Sequence, residues 1–250
     1  MFNLRGHVAV ITGATGEIGE QLAQVLSEQG AHVALIGTDM GHLKKICSDI
    51  GKKGKMAISV QCDISKPAEL DEAIGVIIEE FGQVDILVNN GIGILPEGLH
   101  KADEVTLHAV LTHALNSMFM CCQKFVLVMR KVGYGRIVNV SSGLEPFSTR
   151  SNLTAEHLAR GTIASYTRAL SFELGGLGIT VNAVCPGYFR TERTREIMET
   201  VACRQKIYKF CPLGRPGLKD ELNGAVVYLA SEEASYTTGA VLCVDGGWAP

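Results

Sequence analysis

Short runs of apolar, β-branched residues recur along this chain, and each is followed by a segment with helical periodicity. His7–Thr12 precedes a helical pattern from about Gly16 to Gln29, His32–Ile36 precedes one to about Ile50, and Ala57–Cys62 precedes Pro67–Phe81. The alternation continues through Asp85–Asn89, a long helix from about Asp103 to Arg130, Arg136–Ser141, a helix from about Leu153 to Leu174, Thr180–Cys185 and finally Val241–Asp245. Runs of this kind read as strands buried on both faces, and parallel strands need helical crossovers that cover both faces. The pattern therefore predicts an α/β protein with a doubly wound parallel seven-stranded sheet. Glycines punctuate the helix ends at Gly30, Gly51, Gly54 and Gly82. No repeat, low-complexity tract or linker interrupts the pattern, so residues 1–250 are expected to form a single domain. The long irregular stretch at 187–217, after the sixth strand, is where a substrate lid is expected, because ligands bind beyond the carboxyl ends of such strands.

Charge and cysteine usage narrow the classes of partner. A formal charge of −3 with scattered Lys and Arg leaves no electrostatic footprint for nucleic acid. The early apolar run Val8–Ile11 lacks a basic leader and a cleavage site, and no run reaches membrane-spanning length, so a cytoplasmic location is expected. Eight cysteines without a Cys-x-x-Cys pair read as reduced, mostly buried thiols, and no metal site is expected.

The chemistry-bearing motifs stand at the strand ends. Thr12-Gly13-Ala14-Thr15-Gly16-Glu17-Ile18-Gly19 follows the first strand and opens the first helix, the context in which a glycine motif points to a dinucleotide. Asp63, Asn89-Asn90, Val138-Asn139-Val140-Ser141-Ser142, Asn182-Ala183-Val184-Cys185-Pro186-Gly187 and Asp245-Gly246-Gly247 follow in order. This set resembles the short-chain dehydrogenase/reductase family, in particular its 3-oxoacyl-thioester reductase branch, along nearly the whole chain. The resemblance implies a Rossmann-type fold and NAD or NADP as cofactor. By the same resemblance Gly13, Gly16, Gly19, Asp63, Asn89, Pro186, Gly187 and Thr191 are the expected cofactor-binding residues.

The family's catalytic set comprises a tyrosine and a lysine four residues apart, with a serine and an asparagine. A phenol of pKa about 10 becomes a useful proton carrier near neutrality when a cation lowers that value. In register with Thr167-Arg168-Ala169-Leu170, this chain has Glu156 at the tyrosine position and Arg160 at the lysine position. Ala114 stands at the asparagine position, and only Ser142 is retained. Glu156 and Arg160 suit a helix-surface ion pair; the functional alternative is Glu156 as a new general base.

The cofactor cleft is altered too. In the spacing Thr-Gly-x-x-x-Gly-x-Gly the middle glycine falls on Glu17, whose charge would repel a pyrophosphate about 4 Å away by about 1–4 kcal/mol. Alternatively, Glu17 substitutes for the phosphate at the helix N-terminus. Gly13, Gly16 and Gly19 also fit the spacing Thr-Gly-x-x-Gly-x-x-Gly of extended family members. Ile92 adds bulk where the family has a small residue, and Asp39 is either a helix cap or a ribose ligand.

These departures support three expectations. The first is a pseudoenzyme that binds cofactor weakly, or leaves binding to its partner, and serves as the non-catalytic subunit of an NAD(P)-dependent hydroxyacyl-CoA or alcohol dehydrogenase. It would pair with a paralogous subunit in a heterotetramer, or otherwise form a homo-oligomer, through the two long helices and the final strand, where Trp248 reads as an interface anchor. The second is an active NAD(P)-dependent oxidoreductase of the 3-oxoacyl reductase or alcohol dehydrogenase type, with Tyr188 or Glu156 as a relocated proton carrier. The third is a dinucleotide sensor.

Overall fold

The computed structural model describes residues 1–90, 104–105, 108, 112–141 and 154–248, without the side chains at 113, 114, 154–160, 193 and 197. The apolar runs become β1 (Val8–Ile11), β2 (His32–Gly37), β3 (Ala57–Gln61), β4 (Ile86–Asn89), β5 (Gly135–Val140), β6 (Ile179–Pro186) and, at the end, β9 (Val241–Val244). They pair in parallel in the order β3-β2-β1-β4-β5-β6-β9. The strand order reverses direction between β1 and β4, so the crevice for a ligand opens at the carboxyl ends of those two strands.

Alternate residues of each strand face opposite layers. Ala9 and Ile11 pack with Leu22 and Leu26 of α1 (Glu17–Glu28), Leu43 and Ile46 of α2 (Met40–Lys52), and a C-terminal helix, Asn223–Ala230. Val10 and Leu87 pack on the other side with Leu70 and Ile77 of α3 (Pro67–Phe81), Cys121 and Phe125 of α4 (Ser117–Val132), and Ile163 of α5 (Thr154–Leu174). The central strands are fully buried, as the unbroken apolar runs require. The edge strands β3 and β9 are not, which corrects the expectation of seven fully buried strands: each has a neighbour on one side only.

Two further corrections concern helices. The expected helix Asp103–Arg130 is helical at the described residues 104, 105 and 108, but passes through a π-helical turn at Thr112–Asn116 before continuing as α4. At the end of this wider turn the Ser117 hydroxyl donates to the Thr112 carbonyl at 3.2 Å. The stretch 187–217 is not irregular. It holds the short strand β7 (Phe189–Arg190), α6 (Glu192–Glu199), α7 (Val201–Phe210) and β8 (Gly217–Leu218), with β7 and β8 paired to each other. The last helix, Asn223–Ala230, is α8. Among the described residues no helix is long and apolar enough to cross a membrane. None of the eight cysteines is in a disulfide, and five of them are buried.

At the amino end of the sheet, the buried Asp85 carboxylate accepts from the Val8 amide and the Gln83 amide group, each at 2.7 Å. Burial pushes its pKa up, but the bonds from His7, Val8 and Gln83 outweigh that and hold the carboxyl below its ordinary value. A carboxyl depressed in the fold contributes stability above its unfolded pKa, about 3.9, and loses that contribution as pH falls through the folded value. Asp85→Ala is expected to cost about 1–3 kcal/mol at neutral pH, because it leaves the Val8 N–H unpartnered. In urea denaturation, the gap between variant and wild type should narrow below about pH 4; a gap independent of pH would refute this role.

Candidate dinucleotide cleft and catalytic helix

The glycine turn after β1 is built by three different requirements. Gly13 has φ +58°, a left-handed conformation suited to glycine. A Cβ on Gly19 would stand 2.3 Å from the Gly13 carbonyl oxygen and 2.9 Å from the Ala14 Cα, so α1 can lie this close to the turn only with glycine there. Gly16 is the N-cap of α1 and carries no such constraint: its Cβ would meet nothing nearer than the Gly13 oxygen at 3.5 Å. The spacing Gly13, Gly16, Gly19 therefore supplies the tight turn, the open approach and the close packing of a dinucleotide fingerprint.

Two residues that the sequence reading did not single out as ligands or braces hold this turn. The Thr12 hydroxyl donates to the Asn90 carbonyl at 2.8 Å and accepts from the Asn90 amide at 3.0 Å. The Asn90 side chain donates to the Gly13 carbonyl at 3.1 Å. The motif Asn89-Asn90 gave a signal, but its burden falls on Asn90. Asn89 turns into the sheet, where its Nδ2 donates to Asn139 Oδ1 at 2.8 Å and to Cys122 Sγ at 3.2 Å. Asn139 in turn donates to Thr167 on α5 at 3.0 Å. Asn89 thus ties β4, β5 and α4 together. Burial pushes the Cys122 thiol up to about 12, so it is an inert member of this network.

The remaining expected cofactor residues are placed as follows. Asp63 Oδ1 accepts from the Ser65 amide and hydroxyl at 3.0 and 2.7 Å, shaping the turn into α3. Asp39 Oδ1 accepts from the His42 amide at 3.0 Å, which makes it the N-cap of α2. Pro186 ends β6, and a Cβ on Gly187 would lie 2.6 Å from that of Asp245, so this glycine lets the chain leaving β6 pass the end of β9. The Thr191 hydroxyl meets the Thr194 hydroxyl at 3.0 Å, and Thr194 also donates to the Phe189 carbonyl at 2.8 Å. Thr191 therefore lies at the start of α6. Glu17, the first residue of α1, reaches across to α6: its Oε2 accepts from the Glu192 amide at 2.5 Å.

On the catalytic side, Glu156 and Arg160 lie one turn apart on the continuous helix α5, and Ala114 lies inside the π-helical turn. Their side chains, together with Ser142 and Ile92, lie outside the described residues. Tyr188 packs edge-on against Trp248 at 5.0 Å, and Phe210 of α7 lies 5.8 Å from the same ring. Trp248 thus has an aromatic seat within its own chain, where the sequence suggested an interface anchor.

A family profile described as enoyl-(acyl carrier protein) reductase matches residues 13–249. The chain belongs to the short-chain dehydrogenase/reductase family. It is 34% identical over 248 residues to 2-dehydro-3-deoxy-D-gluconate 5-dehydrogenase of Bacillus subtilis, covering 99% of this chain and 96% of that one. It is 33% identical to the 3-oxoacyl-[acyl-carrier-protein] reductase FabG of Escherichia coli, covering 98% of each. Among solved structures, a gluconate 5-dehydrogenase from Burkholderia cenocepacia in complex with NADP and tartrate superposes with a TM-score of 0.94 at 30% identity, covering 99% of this chain and 96% of that one. An oxidoreductase family fold is thus established for this short-chain dehydrogenase/reductase. The glycine turn has the shape to receive a dinucleotide, and Glu17 is the first residue of the helix that this turn opens.

Proposed function

We propose that this chain is a non-catalytic family member that serves as the assembly subunit of a hetero-oligomeric NAD(P)-dependent hydroxyacyl-CoA or alcohol dehydrogenase, and that alone it binds NAD(P)(H) weakly. The observation that carries this reading is the placement of its six tyrosines. Tyr134 stacks on His7 at the amino end of the sheet, opposite the cleft. Tyr166 lies between Phe119 and Cys122, where burial pushes its phenol up, away from useful acidity. Tyr188 packs on Trp248, and Tyr228 shares a hydrogen bond with Thr237. Tyr208 and Tyr236 are exposed. No lysine occurs between Lys131 and Lys206, so β5, α5 and β6 supply no ammonium to acidify a phenol.

Exposed apolar side chains on the long helices support the assembly role. Phe119 and Leu127 of α4 are half exposed, and Phe172 of α5 is 93% exposed. Covering such surface favours association at about 25 cal/mol per Å². Co-expression with a paralogue that carries an intact Tyr-x-x-x-Lys pair is expected to yield a mixed complex by size-exclusion chromatography and native mass spectrometry. A cooperatively folded monomer that ignores the paralogue would overturn the assembly role.

A further inference from the structure

We infer that Glu17 is a resident anion of the pyrophosphate subsite, and that its carboxylate latches α6 across the mouth of the cleft. The inference deepens the weak-binding reading above and rests on it. Glu17 opens α1 and Glu192 opens α6, so the Glu17 carboxylate lies where two helix N-termini converge. Each of those termini carries the positive end of a helix dipole, and at α6 the Glu192 N–H, which has no partner within the helix, is taken by Glu17. That is the environment in which a pyrophosphate is ordinarily held.

Two further observations locate the competition. Gly16 leaves the approach to α1 open, so what opposes a dinucleotide here is charge and not bulk. The start of α6 is organised by its own side chains: the Thr191 amide donates to Thr194 Oγ1 at 2.9 Å, and Thr194 donates to the Phe189 carbonyl. The Glu192 amide is thereby offered outward as part of a stiff unit, and Glu17, 175 residues earlier in the chain, takes it. A dinucleotide that claims these amides must displace Glu17, and the same displacement releases α6. Cofactor binding and the latched lid are therefore mutually exclusive states of one equilibrium.

Hydrogen exchange of the ligand-free chain, read by mass spectrometry over residues 192–199, tests the latch. Glu17→Gly is expected to speed exchange there about tenfold. Calorimetric titration with NADPH should show binding about tenfold tighter than wild type. Glu17→Gln keeps an acceptor without charge, so it should tighten NADPH binding while leaving α6 more protected than in the glycine variant. Thermal melts establish that each variant is folded. Identical α6 exchange in all three proteins would overturn the latch, and unchanged NADPH affinity in Glu17→Gly would overturn the pyrophosphate assignment. Neither measurement involves turnover, so either failure leaves the non-catalytic reading standing.

Discussion

Supplied with NADPH and a 3-oxoacyl thioester, the purified chain is expected to turn over about 10²- to 10⁴-fold more slowly than the Escherichia coli FabG reductase assayed beside it. That range is what a positioned proton carrier contributes. The family resemblance assigns the task to a phenol acidified by an ammonium group, and this chain has Glu156 and Arg160 at those places on α5. A guanidinium stays charged at all accessible pH values, and beside a carboxylate it favours the ionised form, which cannot donate a proton. Glu156→Tyr combined with Arg160→Lys is expected not to restore the rate, since Ala114 and Glu17 remain. Robust hydride transfer by the wild-type chain would sink the non-catalytic reading, and its loss in Tyr188→Phe or Glu156→Gln would then identify a relocated carrier.

Gly19→Ala is expected to destabilise the fold by about 3 kcal/mol or more, lowering the melting temperature by about 6–12 °C for a domain of this size. Two of the atoms its Cβ would strike, the Gly13 oxygen and the Ala14 Cα, are backbone, so no side-chain rotation relieves them. The third, the Asn90 amide nitrogen at 2.8 Å, is the group that braces the turn. Gly16→Ala is the matched control: φ there is −77° and the nearest contact is ordinary, so a cost within about 1 kcal/mol is expected. Equal losses from both substitutions, measured by chemical denaturation, would show that the close approach at Gly19 is not what fixes α1 against the turn.

The sheet was legible because a strand buried on both faces leaves an unbroken apolar run, and β1, β2 and β6 lie within two residues of their expected ends. The helices α6 and α7 were not. In α6, Glu192–Glu199, only Ile197 and Met198 are apolar, too few to reveal a helical stripe. The glycine fingerprint could be seen but not parsed, because the choice between two spacings depends on how closely α1 approaches the Gly13 oxygen. Asp39 shows the same limit: its residue type fits a cap and a ribose ligand alike, and only the structure shows its bond to the His42 amide as the cap of α2. The destination of Glu17 was out of reach for another reason. Its partner is an amide far along the chain, and a backbone donor leaves no mark on residue identity.

The aromatic seat at the chain's end has a practical consequence. Trp248 is the sole tryptophan, packed against Tyr188 just after β6 and Phe210 at the end of α7. Indole emission depends on local polarity and on neighbouring rings, so the protein carries a native optical reporter where α7 meets the chain's end. Movement of α7 away from the body changes the surroundings of this fluorophore and of no other tryptophan. Any displacement of α7 can thus be followed in real time by intrinsic emission, with no label added and no residue changed.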